Sequence, residues 1–305
     1  MDDLVDLWET PVDKDNYMIV GWQQWADAGA ISSELPRYLI DLVGARKIGE
    51  IKKDGFYLFQ FPGTHHLLRP HIKLVDGHCQ HLSTHQNELY YAERDGKGLL
   101  IFAGEEPHMN ESRYAEAFFD MAEALQVKRI AAVGGVYGPV PYEKDREVSC
   151  AYSLPRMREE LEHYAVQFSN YEGGSTIGTY LARAAEQREI EFMVFYGYVP
   201  AYDFEEGESP IGSIRIDQDW KAWYELLRRL DYMFGYDLDL TELKKREQTL
   251  IEAWDRQIEE LTQKHPELGV KEFLAKIRAE FTERPFLPLD SAWDELGDLL
   301  DDMDE

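Results

Sequence analysis

Asp27, Glu105, Glu106, Glu172 and His108 stand in the stretches where apolar runs of this chain give way to loops. A carboxylate beside an imidazole can do general acid/base work, because it lifts the imidazole pKa toward neutrality and fixes its tautomer. On that reading His108 is the acid/base, Glu105 or Asp27 orients it, and the ligand is a small polar metabolite. A plainer reading uses the same residues: Asp27 and Glu105 each closely precede a helical segment and can cap it, and His108 can make a structural hydrogen bond. Structural networks perturb ionisable groups as active sites do, and the plainer reading is preferred.

Two glycine pairs, Gly134-Gly135 and Gly173-Gly174, could let backbone amides approach a phosphate or carboxylate, with Tyr171 and Glu172 beside the second pair. Neither belongs to a Walker or dinucleotide fingerprint, and no Gly-x-Ser-x-Gly elbow is present, so tight turns are the better account. Six histidines, His65, His66, His71, His78, His81 and His85, crowd one stretch with Cys79 among them. Imidazoles ligate transition metals, but the spacing is irregular and the stretch reads as strands and turns. Surface or interface histidines are therefore expected, with His78, His81 and His85 the weak metal candidates, and no cofactor is expected.

The elements that must position these residues follow from periodicity. Tyr17-Met18-Ile19-Val20-Gly21 reads as a buried strand opening into the loop Trp22 to Gly29, followed by a helix carrying Ile31, Leu35, Leu39 and Leu42 up to Gly44. Between Lys47 and Leu100, turn signals at Lys53-Asp54-Gly55, Pro62-Gly63, Asp76-Gly77 and Asp95-Gly96-Lys97-Gly98 predict hairpins. Leu99 to Ala103 is a continuous apolar run, as in a strand buried on both faces. An amphipathic helix over Glu111 to Leu125 leads to the strand Arg129 to Val133. A second helix leads to the strand Glu191 to Phe195 and a loop over Val199-Pro200-Ala201-Tyr202. Strands alternating with helices predict a parallel or mixed sheet covered on both faces. Beyond Ser209 only helical segments are expected. One carries Trp220, Trp223, Tyr224, Leu227 and Leu230; the longest, Leu240 to Lys264, suits a helical hairpin or a partner-binding face, and packing on its own domain is preferred for both.

Composition narrows the function classes. The 305 residues are 44% hydrophobic and carry a formal net charge of −27, which repels phosphate backbones and anionic lipid, so neither nucleic acid nor membrane is an expected partner. Part of the excess lies in Asp290, Asp294, Glu295, Asp298, Asp301, Asp302, Asp304 and Glu305, read as a solvated acidic end. The first residues lack the features of a signal peptide, no apolar run is long enough to span a membrane, and the two cysteines, Cys79 and Cys150, form no C-x-x-C. A cytoplasmic protein with free thiols is expected.

Five stretches taken in order then resemble the proteasome assembly chaperone 2 family. Gly21-Trp22-Gln23-Gln24-Trp25-Ala26-Asp27-Ala28-Gly29 is similar to its Gly-Trp-x-Asp-Ala-Gly loop, and Gly104-Glu105-Glu106-Pro107-His108 to its Gly-x-Glu-Pro-His loop. Gly134-Gly135-Val136-Tyr137 with Val140-Pro141, then Tyr171-Glu172-Gly173, then Val199-Pro200-Ala201-Tyr202, are similar to three further loops of the family. The resemblance implies a three-layer α/β/α fold with a mixed central sheet, like that of phosphorylases and hydrolases, and a non-catalytic, chaperone-like role in assembly. Where the family tends to have His, this chain has Tyr142 and Ala201, and Gly174 stands where a Pro would be, so a site built on those imidazoles is not carried over. Nor does Asp302-Met303-Asp304-Glu305 resemble the hydrophobic-Tyr-x end with which some members dock.

The expected organisation is an N-terminal segment over 1–15, the α/β/α domain over 16–215, a C-terminal helical extension over 216–285 and an acidic tail over 286–305. The preferred function is protein interaction, with an unidentified protein partner and self-association as a homo-oligomer. The rival is binding or turnover of a small polar metabolite in a strand-end crevice formed by Asp27, Glu105, Glu106, His108, Gly134, Gly135, Tyr171, Glu172 and Gly173.

Overall fold

The computed structural model describes residues 3–12, 14–59, 70, 72–94, 96–204 and 214–286. Its frame is one mixed sheet. The strands are β1 (Val5–Leu7), β2 (Asp15–Gln23), β3 (Arg46–Ile51), β4 (Ile72–Val75), β5 (His78–Leu82), β6 (Glu88–Arg94), β7 (Lys97–Glu105), β8 (Val127–Gly138), β9 (Val148–Tyr152), β10 (Gln167–Phe168), β11 (Glu191–Tyr202) and β12 (Ile214–Arg215). Among the described residues the spatial order is β1-β3-β6-β7-β2-β8-β11-β9-β10, with β12 antiparallel on the end of β11. The four central strands β7, β2, β8 and β11 are parallel; β6 returns antiparallel on β7, and β9 antiparallel on β11. β4 and β5 form a separate, solvent-exposed hairpin.

Side-chain alternation explains why the central strands read as unbroken apolar runs. Ile19, Leu99, Ile101, Ala131, Val133, Met193 and Phe195 enter the core on one face. Their neighbours Met18, Val20, Leu100, Phe102, Ile130, Ala132, Phe192 and Val194 enter the core on the other, so every position of the run is buried. The helices are α1 (Leu35–Val43), α2 (Glu111–Ala124), α3 (Arg158–Leu161), α4 (Ile177–Gln187), α5 (Trp220–Phe234), α6 (Thr241–Lys264) and α7 (Val270–Glu280). α1 and α5 cover the first face and α2 and α4 the second, which completes the α/β/α sandwich. α6 packs on α5, and α7 on α6.

The helices beyond residue 216 are not set apart from the sheet. Trp223, Leu226, Leu227 and Leu230 of α5 share one buried cluster with Ile19, Leu35 and Phe195, and α6 and α7 extend it through Trp254, Ile258, Leu274 and Ile277. α5 is therefore one of the covering layers. Three local expectations are corrected. Val199 to Tyr202 continues β11 because it pairs with both β8 and β12. Gly134 and Gly135 lie within β8 rather than at its end. The first helix begins at Leu35, after a short 3-10 turn over Ala28–Ala30, because Asp27 ties up the amides of Ser32 and Ser33. The free thiols Cys79 and Cys150 are exposed and buried, respectively. No described helix is long and apolar enough to cross a membrane. The acidic stretch over 290–305 and His65, His66 and His71 lie outside the described residues.

Candidate functional site

The central parallel strands end on one edge of the sheet, where open α/β folds place ligands. The loop after β7 carries Glu105, Glu106 and His108, and the structure sends them to three different places. Glu105 faces the hairpin partner: its Oε2 lies 2.5 Å from His85 Nδ1 and its Oε1 accepts the Gln86 amide at 3.1 Å. That follows from the β6–β7 register, in which Glu88 pairs with Ala103, so that continuing the ladder places Gln86 opposite Glu105. The carboxylate fastens the entrance to β6 and caps no helix, since Asn110 stands at the start of α2.

Among the described residues no carboxylate hydrogen-bonds to His108. Its Nδ1 accepts the Leu58 amide at 3.0 Å, which leaves the ring proton on Nε2, 3.0 Å from the Gln24 side-chain amide; that amide must then offer its oxygen. The Tyr57 ring lies edge-on to His108, with centroids 5.5 Å apart, and stacks on His85 at 4.3 Å. Burial, seconded by the nearby His85, holds the His108 pKa below its ordinary value, against the opposing pull of Glu105. Both ring nitrogens are thus occupied in the neutral ring, the form that burial favours. In place of the His108–Glu105 pair of the acid/base reading there is a His85–Glu105 pair, because the loop turns His108 toward Leu58 while the hairpin turns His85 toward Glu105.

This arrangement has a pH signature. The unfolded chain protonates His108 more readily than the folded one, so its contribution is complete above the ordinary imidazole pKa of about 6.5 and is lost as pH falls through that value toward the lower folded one. The denaturant midpoint is expected to drop on acidification below about pH 6.5. His108→Asn, whose Oδ1 can still take the Leu58 amide, should show a smaller drop. Equal acid sensitivity of the two proteins in parallel urea titrations would show that this ring is not a source of the effect.

Glu106 points elsewhere again: its Oε1 accepts the Ile177 amide at 2.9 Å, at the first turn of α4, where Thr176 is the N-cap. Burial pushes its pKa up, opposed by that amide bond. Asp27 braces the turn into α1, with Oδ1 taking the Ser32 amide, the Ser32 hydroxyl and the Ser33 amide at 2.9–3.0 Å. The loop it belongs to lies against β8 through a bridge from Asp27 to Gly135 and a bond from the Gly135 amide to Ala26 O at 2.8 Å. Gly135 is obligatory for that approach, since a Cβ there would stand 2.0 Å from Ala28 O. Tyr171, Glu172 and Gly173 are exposed in the stretch before α4. His78 and His81 lie on the exposed hairpin strand β5, away from His85 in the β6 approach. Among the described residues no three His, Cys, Asp or Glu side chains gather in a group that could hold a metal.

A crevice of about 640 Å³ does open at the strand ends, but its walls are aromatic. Trp25, Tyr137, Tyr171, Tyr196 and Tyr198 line it, with Asp27, Thr176 and Arg215 among the polar groups and without Glu105, Glu106 or His108. Tyr196 Oη lies 2.7 Å from Thr176 Oγ1, and burial pushes its pKa up to about 12. Arg215 sits over the Tyr137 ring, 5.3 Å from its centroid, and its Nε is 3.3 Å from Asp217 Oδ1. No sequence motif marks Tyr57, His85 as a partner of Glu105, or Asn87, whose Oδ1 lies 2.7 Å from the Tyr57 hydroxyl. The turn signal Asp95-Gly96-Lys97-Gly98 in the sequence, by predicting a hairpin, is what points to His85 and Gln86 beside Glu105.

Comparison with known proteins agrees with this architecture. The PAC2 family model matches residues 21–262. Among solved structures, a proteasome-assembly chaperone homologue of Mycobacterium tuberculosis, Rv2125, superposes with a TM-score of 0.67 at 22% identity, covering 80% of this chain and 94% of that one. A protein of unknown function from Corynebacterium glutamicum reaches 0.73 at 15% identity, covering 91% and 96%. PbaB of Pyrococcus furiosus, an archaeal proteasome activator, reaches 0.58 at 18% identity, covering 83% and 97%. The search of curated proteins returned no match.

Proposed function

The chain belongs to the PAC2 family, and from that premise we propose that it works by protein–protein contact, as a chaperone-like assembly factor that makes and breaks no covalent bond. The observation that carries this reading is the dispersal of the residues that could have formed an active site. Glu105 is committed to His85 and Gln86, Glu106 to α4, Asp27 to the turn into α1, and His108 spends both ring nitrogens on Leu58 and Gln24. Catalysis needs such groups to converge within reach of one reacting atom. Two structural neighbours whose names tie them to the proteasome, one as an assembly-chaperone homologue and one as an activator, support an assembly role.

In this reading the partner is a protein, the chain acts in the cytoplasm as a homo-oligomer, and shape complementarity does the work. The experiment is native mass spectrometry of the chain purified from its own cells. The expected species contains at least one other protein, and it survives in the His108→Ala variant. Recovery of the chain with a bound small metabolite and no protein would overturn the proposal.

A further inference from the structure

We propose that the strand-end crevice is a docking site for a basic side chain, a lysine or arginine, presented by the protein partner. The inference rests on the protein-contact reading and supplies the chemistry of the contact. Three aromatic residues on one crevice are substantially open to water: Trp25 is 71% exposed, Tyr171 70% and Tyr137 40%. Tyr196 and Tyr198 complete the aromatic lining deeper in. Aromatic faces carry negative quadrupolar charge and attract ammonium or guanidinium groups lying over them. The chain already makes one such contact here, with the Arg215 guanidinium over Tyr137.

Charge selects the cation over other ligands. Asp27 contributes a carboxylate to the wall, and the chain as a whole carries −27, a field that gathers cations and repels anions. Arg215, which also lines the crevice, lies over the Tyr137 ring with its Nε 3.3 Å from Asp217, and its like charge opposes the incoming cation in part. The exposure of the rim favours a protein-borne cation over a free amine. Trp25 and Tyr171 are covered only when a surface surrounds the entering group, whereas an amine small enough to enter alone leaves them wet.

The test uses the intact chain and blocked pentapeptides with Arg, Lys, citrulline or Glu at the centre, titrated calorimetrically alongside tetramethylammonium. Citrulline has the shape of arginine without its charge. The Arg and Lys peptides are expected to bind about tenfold tighter than the citrulline peptide, with affinity falling as salt rises. Trp25→Ala and Tyr171→Ala, both at exposed positions, should each weaken the Arg peptide by about fivefold. Arg215→Ala, which frees the Tyr137 face and removes a like charge, should strengthen it. Equal binding of arginine and citrulline, preference for Glu, indifference to both aromatic substitutions, or no peptide binding at millimolar concentration would each overturn the proposal. Tetramethylammonium binding as tightly as the peptides would overturn the assignment to a protein. The two readings fail separately: a partner captured equally by Trp25→Ala removes the crevice assignment alone, and peptide binding with no protein partner in cells removes the earlier reading alone.

Discussion

Asp219→Ala is expected to cost about 3–5 kcal/mol of folding stability, because it leaves a guanidinium buried without its counter-charge. Asp219 is 0% exposed and Arg146 2%. The two meet through Nε to Oδ2 at 2.8 Å and Nη2 to Oδ1 at 3.3 Å. Arg146 Nη1 also donates to the carbonyls of Pro141, Tyr142 and Lys144. Asp219 is at the same time the N-cap of α5, with Oδ1 accepting the amides of Lys221 and Ala222, and losing a cap of this kind alone costs about 1 kcal/mol. Urea unfolding at neutral pH should show the shift as a lower midpoint with the slope preserved. The double variant Arg146→Met with Asp219→Leu should recover a large part of the loss, since apolar replacement of both members of a buried pair is often neutral. A single-variant loss below about 1 kcal/mol would show that water reaches the guanidinium, as at an exposed ion pair.

Trp223→Ala comes next, at about 3–5 kcal/mol for removing a buried aromatic side chain. Trp223 is 1% exposed and packs against Tyr38 and Trp220. Its Nε1 donates to Gly29 O at 2.9 Å, and the Asp219 amide donates to the same oxygen at 3.0 Å. Gly29 has φ +64°, and a Cβ there would lie 2.8 Å from Asp219 Cβ, so the loop that frames the crevice is pressed against the start of α5. Trp223→Phe keeps most of the apolar area and loses the donor; about 1 kcal/mol is expected, the net worth of one hydrogen bond. The Trp223 and Asp219 substitutions share Gly29 O, so their effects should not add. Strict additivity in a double-mutant cycle would show that the loop and helix are held independently.

Much of the scaffold could be read in advance, for a physical reason. Met18 to Val20, Leu99 to Phe102 and Ile130 to Val133 are buried on both sides of one sheet, and burial on both faces leaves an unbroken apolar run. The amphipathic stripe of Tyr114, Phe118 and Met121 likewise marked α2. β1 and β10 were not legible: each is two or three residues long and owes its strand conformation to a partner distant in sequence. The role of α5 as a covering layer was hidden for the same reason, since the stripe of Trp223, Leu227 and Leu230 says that a face is buried and not against what.

The site was legible in residue type and illegible in pairing. Asp27 lies in the crevice wall and braces the turn before α1 instead of capping that helix, at whose start Glu34 stands. Glu105 and His108, three residues apart, point to different partners because one ends a strand and the other follows Pro107 out of it. Sequence proximity carries no direction for side chains in such a loop, and hairpin register, which does, brought in His85.

Native mass spectrometry of the chain purified from its own cells tests the central claim most directly. A mass equal to the chain or its oligomer plus another protein, unchanged by His108→Ala or Glu105→Gln, is the expected result. A mass equal to the chain plus one small molecule, with no protein attached and with the small molecule lost on either substitution, would contradict the account.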